Sequence, residues 1–190
     1  MKKEDIITLP NPRLRERSQK VGVISAEIVE HIEGMKNATL DWEDNREHEV
    51  GVALASVQVN SLLRIIVVRN DFDNKKDRTF QVFINPEIVK LEGKQIEDYE
   101  GCLSIRDIYG KVPRYEKVKI KAIGEDGQPV RITAEGFLAR IFQHEIDHTN
   151  GIVFIDHIKD QSTAFFKLDS DGHLVELDYE NDVRNNSILW

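Results

Sequence analysis

The sequence predicts an α+β fold in which antiparallel β-sheets wrap around one central helix. Four runs rich in β-branched and aromatic residues, two of them joined by the hairpin-turn signal Glu125-Asp126-Gly127, precede a segment at 137–148 whose apolar residues recur with helical spacing. Because strands outnumber helices up to that segment, we expect the sheets to pack around it. The predicted strands are Leu63–Val68, Phe80–Ile84, Lys117–Ile123 and Val130–Ala134.

Composition predicts a single globular domain. The chain has 190 residues, of which 40% are hydrophobic and 32% are charged, and no apolar run approaches the length of a membrane span or of a signal peptide. The net charge of −8 argues against direct nucleic-acid binding, and the single cysteine fits a reducing cytoplasm. We therefore expect a cytoplasmic protein that binds neither a membrane nor nucleic acid.

One further helix is expected near the start of the chain. Ser25 is a good N-cap, and the apolar residues that follow keep helical spacing to about Asp41. The charged run from Glu43 to Glu49 then predicts a loop before a glycine-containing segment at 51–58.

The most informative motif is the helical pair His144 and His148, with Glu145 beside the first histidine. Residues four apart share one helix face, so a single divalent cation could bridge the two imidazoles. Glu145 lies about 100° around the helix, where it is no ligand but can reach a water on the metal. Asn150-Gly151 ends the helix, since glycine is the usual left-handed terminator. The alternative is a pair of partly exposed, solvated histidines.

A catalytic metal commonly takes three protein ligands, and Cys102 is the candidate for the third. A lone cysteine is often only a small buried apolar residue. Gly101, immediately before it, removes side-chain bulk where a thiolate would approach the metal.

These segments together resemble the peptide deformylase family. The resemblance rests on three motifs in the family's order: a glycine-containing segment ending in Gln, an E-G-C-x-S loop, and H-E-x-D-H on a helix. It extends over roughly residues 5 to 160 and includes Pro10–Arg15, Ile84–Pro86 and Gly151–Asp156. The three motifs are Gly51–Gln58, Glu100–Ser104 and His144–His148.

The chain departs from the family pattern at four positions. Ala53 stands where members usually have glycine, Ser56 where they have alanine, and Arg106 where they have proline. Tyr109 occupies a position where some members place arginine. These changes bear on peptide preference beyond the first residue.

The resemblance implies a metal-dependent hydrolase that removes the formyl group from formyl-methionyl nascent chains and releases formate. A divalent metal lowers the pKa of a bound water, and Glu145 would act as general base and then as general acid. The resemblance gives Gln58 and the Leu103 backbone N–H as donors to the tetrahedral intermediate. A surface or capping role is the alternative for Gln58.

The resemblance also implies the substrate contacts. The backbone of Ala53 would pair with an extended peptide, and an apolar pocket would hold the methionine side chain. Phe137 and Ile141 are equally good candidates for plain core residues. The expected substrate-binding residues are Val52, Ala53, Glu100, Phe137, Ile141 and, at the pocket rim, Arg140.

The family implies Fe(II) as the native metal, with zinc, nickel or cobalt as substitutes in purified protein; the donor set alone suits all four. N-formyl-methionyl peptides are the expected partners, and the ribosome is a candidate partner through the nascent chain. We expect residues 1–165 to form the catalytic domain, and residues 166–190 to form an extension that packs on it or is partly disordered. Leu189 and Trp190 are candidates for docking on the body.

Two other classes share part of this pattern. A zinc endopeptidase would take its third ligand downstream of the helix, and Glu176 or Glu180 could supply it. A non-enzymatic protein could keep the motifs as a structural metal site, with the changes at Ala53 and Arg106 as the trace of lost activity. Replacing Cys102 distinguishes a deformylase, which would lose its metal, from the endopeptidase, which would keep it. A formate-release assay distinguishes an active deformylase from the non-enzymatic protein.

Overall fold

The structure is a computed structural model that describes residues 1–186 and 189. Its strands form one antiparallel system in the order β1-β2-β3-β4-β6-β7, with β5 paired to β4. The strands are β1 (Ala53–Ala55), β2 (Ile65–Arg69), β3 (Phe80–Cys102), β4 (Ile105–Ile123), β5 (Pro129–Glu135), β6 (Phe165–Leu168) and β7 (Leu174–Glu176).

Helix α1 (Ala26–Asp44) begins as predicted and ends later than predicted. The Ser25 side chain accepts a hydrogen bond from the Ile28 N–H at 3.4 Å, which is the expected N-cap. Glu43 is buried and forms an ion pair with the buried Arg69, so the first residues of the predicted charged loop are helical. The helix thus extends beyond the point where the apolar pattern ends, and the Glu43–Arg69 ion pair holds this last turn.

The longest feature of the fold is the β3–β4 hairpin, whose tight turn follows Cys102. The predicted strands at 80–84 and 117–123 are only the two ends of this hairpin. Residues between them were not predicted as strand, because the register shifts at several points and the exposed part, from Lys90 to Glu97, is rich in charged residues. The loop expected around Cys102 is therefore a hairpin turn supported on both sides.

The remaining predicted strands are confirmed with small changes. Leu63 lies outside β2, which begins at Ile65. β5 pairs with the end of β4, and the turn between them is closed by the Gly124 N–H donating to Gln128 O at 2.8 Å.

Helix α2 (Gly136–Thr149) is the centre of the fold. It contacts strands β1 to β5, and its apolar side chains Ala139, Phe142 and Ile146 join a cluster with the inner faces of those strands. The helix ends before Gly151, which has φ +78° as the terminator motif predicts. The predicted α+β class, with antiparallel sheets around this helix, is confirmed.

The last part of the chain packs on the body through β6, which pairs with β4 at Ile108 to Gly110. β6 and β7 pair as a short hairpin across a polar turn that contains Ser170. Leu189 is 2% exposed and shares an apolar cluster with Val183 and Phe165. Ser187, Ile188 and Trp190 lie outside the described residues, and this includes the predicted docking of Trp190. No helix in the described ranges combines the length and hydropathy needed to cross a bilayer.

Candidate metal and hydrolytic site

Cys102, His144 and His148 converge in the interior of the molecule. The side-chain ligand atoms of the three residues all lie within 4.8 Å of one another. The Cys102 Sγ is 3.2 Å from His148 Nε2, and the two imidazole rings are 4.9 Å apart between centroids. The hairpin end of β3 brings the sulfur to the helix face that carries the histidines. The two histidines share that face because they lie four residues apart.

Hydrogen bonding fixes the ring of His144. Its Nδ1 donates to Glu100 Oε2 at 2.9 Å, so Nε2 is the nitrogen left to face the sulfur. Burial alone would lower the pKa of His144, but the Cys102 sulfur and the Glu100 carboxylate raise it well above its ordinary value. A positive charge is therefore favoured next to the sulfur and this carboxylate.

Glu145 lies beside the ligands with one carboxylate oxygen unpaired. Glu145 Oε2 and His148 Nδ1 are among the few buried polar atoms of the described chain that have no hydrogen-bond partner. Burial raises the pKa of Glu145 to about 7. An unpaired buried oxygen next to a thiol and two imidazoles fits a site whose remaining partners are a metal ion and the molecules that react there.

Gln58 projects into the same space from the short 3₁₀ turn after β1. Its Oε1 accepts from the Ala55 N–H at 2.8 Å, which points Nε2 toward Ser104 Oγ at 3.1 Å and Cys102 Sγ at 3.5 Å. The side chain is buried, which excludes the alternative of a surface glutamine. The bond from Ala55 is the capping contact that was the other alternative, and it uses Oε1, so Nε2 still faces the cleft. Leu103 follows Cys102 in the hairpin turn and lines the same cleft.

A buried ion network lies behind His144. Glu100 accepts hydrogen bonds from Arg114 Nε at 2.9 Å and from Arg140 Nη1 at 2.8 Å. Arg114 also donates to Asp147 Oδ2 at 2.5 Å, and His157 Nε2 lies 2.7 Å from the same oxygen. Sequence reasoning missed Arg114 and His157, because no local pattern distinguishes them from surface residues until β4 and the segment after α2 fold against the helix.

Arg140 is held by the backbone as well as by Glu100. It donates to the carbonyl oxygens of Asp98, Val112 and Ile96 at 3.3, 2.7 and 2.7 Å. Together with Glu100 it lines the inner part of the cleft, but both side chains already have full sets of partners. These bonds hold β3, β4 and α2 together at the inner end of the cleft.

A cleft of about 480 Å³ opens over the ligands. The apolar side chains expected to contact the substrate, Val52, Phe137 and Ile141, line it, and so does Ala53. Phe137 is 48% exposed, whereas Ile141 is buried in the cluster under the sheet. The cleft is also lined by Gly101 and Tyr109, which the sequence singled out, and by residues that the sequence did not select: Trp42, His48, Glu49, Val50, Phe72, Asp73, Tyr99, Leu168, Gly172 and Leu174.

Two departures from the family pattern are explained by local contacts. The Ser56 hydroxyl lies 2.6 Å from His31 Nε2 of α1, so the added oxygen has a buried partner. Ala53 pairs with Val68 in β1, and the non-glycine residues with positive φ in the described ranges are Asn60, Asn85 and Asp107. An added methyl at position 53 therefore causes no backbone strain.

Tyr109 packs directly against Gly101. A Cβ at Gly101 would come within 2.6 Å of the Tyr109 ring, so the absent side chain leaves room for that ring. Tyr109 donates a hydrogen bond to Glu49 Oε1 at 2.5 Å, and Glu49 also pairs with Arg46 at 3.0 Å. Burial and the Glu49 carboxylate raise the pKa of Tyr109. Arg106 is exposed beside a second, smaller cavity.

The alternative third ligands do not join the cluster. Glu176 is exposed in β7, and Glu180 pairs with Arg184 at 2.9 Å. Among the described residues, the cluster that includes both helix histidines is completed by Cys102. This geometry disfavours the endopeptidase alternative.

One cleft holds two histidines from a helix, a thiol from a hairpin and a carboxylate with an unpaired oxygen, and the sheet surrounds that helix. This fold and this site define a metal-dependent amide hydrolase. The sequence profile of the polypeptide deformylase family matches residues 3–164. The chain belongs to this family, whose members remove the N-terminal formyl group from nascent peptides.

Relatives and solved structures agree with this assignment. The chain is 40% identical to a peptide deformylase from Thermomicrobium roseum over 174 residues, which is 90% of this chain and 94% of that protein. It is 44% identical to one from Halothermothrix orenii over 148 residues, which is 78% of this chain and 88% of that protein. The crystal structure of a Synechococcus elongatus peptide deformylase in complex with actinonin superposes with a TM-score of 0.74 at 32% identity, covering 82% of this chain and 80% of that one. One from Legionella pneumophila gives a TM-score of 0.69 at 39% identity, covering 80% and 83%.

Proposed function

We propose that this chain deformylates formyl-methionyl nascent peptides through a divalent metal held by Cys102, His144 and His148. The observation that carries the proposal is the convergence of these three ligands beside the unpaired oxygen of Glu145. Bond lengths of about 2.0–2.3 Å to nitrogen and sulfur are compatible with ligand atoms this close together.

In the proposed reaction each residue has one task. The metal, when bound, supplies the positive charge that makes the attacking water acidic. Glu145 takes the proton of that water and then delivers it to the amine nitrogen as the formyl C–N bond breaks. Gln58 Nε2 and the Leu103 N–H donate to the oxygen of the tetrahedral intermediate, and their place beside Cys102 supports this role.

The substrate residues are assigned to the two sides of the cleft. We assign the backbone of Ala53 to pairing with the extended peptide, since β1 is at an edge of the sheet and its partner β2 covers only one side. Val52, Phe137 and Ile141 form the apolar wall for methionine. Glu100 and Arg140 are proposed to shape the inner end of this pocket through their mutual ion pair.

Fe(II) is proposed as the native metal because the family resemblance favours it, although one thiolate and two imidazoles also suit zinc, nickel and cobalt. Metal analysis after strictly anaerobic purification tests this assignment, with iron expected at about one equivalent. Zinc at full occupancy under those conditions would contradict it.

Nascent chains are the clients of the family, so we propose a cytoplasmic enzyme that works near the ribosome. The net charge of −8 favours contact through the nascent peptide rather than through ribosomal RNA. We also propose that residues 1–165 are the catalytic domain and that the remainder is an extension packed on it, as the β4–β6 pairing supports.

A formate-release assay tests the function directly. Protein loaded with Fe(II) or Ni(II) should release formate from formyl-Met-Ala-Ser, and Cys102→Ala should lose both the metal and the activity. A useful control is Glu176→Ala, which removes the ligand that an endopeptidase would need and should change neither. Formate release that survives the loss of Cys102, or its absence from the metal-loaded wild type, would contradict the proposal.

A further inference from the structure

Phe72 is an aromatic residue of the cleft that none of the three family motifs includes. It lies in the segment 70–79 that connects β2 to β3, and it lines the same cleft as Cys102 and His144. The Phe72 and Phe137 rings meet edge to face, with centroids 5.2 Å apart and an interplanar angle of 71°. The two rings thus form one aromatic wall, half of which comes from a connecting segment.

That segment is fixed to the body by hydrogen bonds from a buried side chain. Arg69, at the end of β2, donates to the carbonyl oxygens of Asp77 at 2.6 Å and Lys75 at 2.9 Å. Its guanidinium also pairs with Glu43, whose Oε2 accepts from the Gly51 N–H at 2.9 Å. Phe72 is therefore held in a fixed relation to the segment that begins at Gly51.

The apolar surroundings of Phe72 are those of the proposed methionine pocket. Its side chain packs against the cluster that contains Ala53 and Ile141, together with Val52. Phe137 retains an exposed fraction of 48% even with Phe72 against it, so the ring pair presents apolar surface to the cleft. Val52, Ile141 and the ring pair therefore belong to one apolar surface of the cleft.

We propose that Phe72 is a specificity-determining residue that caps the pocket for the first side chain of the substrate and contacts the thioether of methionine. This inference rests on the proposed function, since it takes the pocket to be the one that holds methionine. Sulfur is polarisable and favours aromatic rings at about 5 Å, and such contacts correspond to roughly two- to tenfold in affinity. Phe72 therefore selects methionine over a hydrocarbon chain of the same length, and it disfavours methionine sulfoxide, whose polar oxygen would be desolvated there.

The test compares formyl-Met-Ala-Ser with formyl-norleucyl-Ala-Ser. In norleucine a methylene group replaces the sulfur atom of methionine. For Ni(II)-loaded wild type we expect kcat/KM to favour methionine about fivefold. Phe72→Leu should reduce this preference below about twofold and raise KM for the methionine substrate about fivefold. Because the contact exists before and during the reaction, kcat should stay within about twofold. Phe72→Tyr keeps the ring and should restore both values.

Phe80→Leu is the matched control, because it removes a ring from the end of the same segment at a position that packs on a different cluster. It should leave KM and the methionine preference unchanged. Unchanged KM and preference in Phe72→Leu, or equal changes in Phe80→Leu, would overturn the inference while leaving the deformylase function intact.

A binding measurement keeps the two proposals separable. Calorimetric titration with the product peptide Met-Ala-Ser should show a Kd about fivefold weaker for Phe72→Leu than for wild type, whether or not formate is released. Equal Kd values would reject the role of Phe72. Failure of the wild type to release formate would instead reject the proposed function.

Discussion

Glu145 and Glu100 are two buried carboxylates near His144, and their environments have opposite effects on their pKa values. Burial raises the pKa of Glu145 to about 7, and one of its oxygens has no partner. Burial would also raise the pKa of Glu100, but hydrogen bonds from His144 and Arg114 hold it well below its ordinary value. The same residue type is thus left free to exchange protons on one side and kept permanently charged on the other.

This difference separates two groups of residues that meet at His144. The side that faces the cleft has Glu145, whose unpaired oxygen leaves bonding capacity for reacting molecules. The rear side is the closed network of Glu100, Arg114 and Asp147 at the Nδ1 of His144, which holds the histidine ring in one orientation, although Glu100 also reaches the inner end of the cleft. Changes on the two sides should therefore affect different measurable quantities.

The largest effect is expected on the side that faces the cleft. Glu145→Gln should lower kcat about 10³-fold, because the amide cannot carry a proton between water and the departing amine. Metal content, measured by elemental analysis, should stay at the wild-type level. Glu135→Gln, at the exposed start of the same helix, is the control and should have wild-type kcat. Loss of metal in Glu145→Gln would mean that this residue helps to hold the ion.

A smaller effect is expected for the donor on the same side. Gln58→Leu removes the Nε2 that lies between Cys102 and Ser104, and should lower kcat about 10²-fold with metal retained. KM should change little, because the lost bond is strongest in the transition state. A steady-state comparison with Gln95→Leu, on the exposed part of β3, controls for the substitution itself. A large rise in KM with unchanged kcat would contradict the role of an intermediate-stabilising donor.

Changes on the rear side should lower the affinity for the metal. Glu100→Gln leaves His144 with a weaker acceptor and should weaken metal binding about 10- to 100-fold, measured by competition with a chelator. The unfolding temperature should fall as well, since Arg114 and Arg140 lose a buried counter-charge. Glu97→Gln, an exposed carboxylate of the same strand, should change neither value. Wild-type metal affinity in Glu100→Gln would remove the distinction between the two sides.

The smallest effect concerns a carboxylate far from the site. Hydrogen bonds from Lys20 and Lys121 lower the pKa of Glu87 from its ordinary 4.5 to about 2. The stability that this provides is present above about pH 4.5 and is lost as the pH falls toward 2. Because the three side chains are largely solvated, Glu87→Gln should cost only about 0.5 kcal/mol at pH 6.

Urea unfolding at pH 6 and at pH 2.5 measures this contribution. The difference in unfolding free energy between wild type and Glu87→Gln should shrink at the lower pH, whereas Glu27→Gln, exposed on α1, should match wild type at both. A difference that grows on acidification would show the sign of the linkage to be wrong.

The sequence by itself predicted the fold class, which the structure confirms, and it selected Cys102, His144 and His148 as ligands and Glu145 as general base. Ligand spacing within a helix is a local property, because backbone geometry alone puts His144 and His148 on one face. The hairpin turn with Cys102 and the segment ending in Gln58 were recognisable because each is a contiguous motif, and the structure brings all of them together.

Only the tertiary structure decided which residues support that site. Arg114, Arg140 and His157 meet Glu100 and Asp147 because β4 and the chain after α2 fold against the helix from different directions. Phe72 reaches the cleft because the buried Arg69 ties its segment to α1 and to the start of the glycine segment. A buried charge is stable only when partners distant in sequence surround it, so its role cannot be read from neighbouring residues.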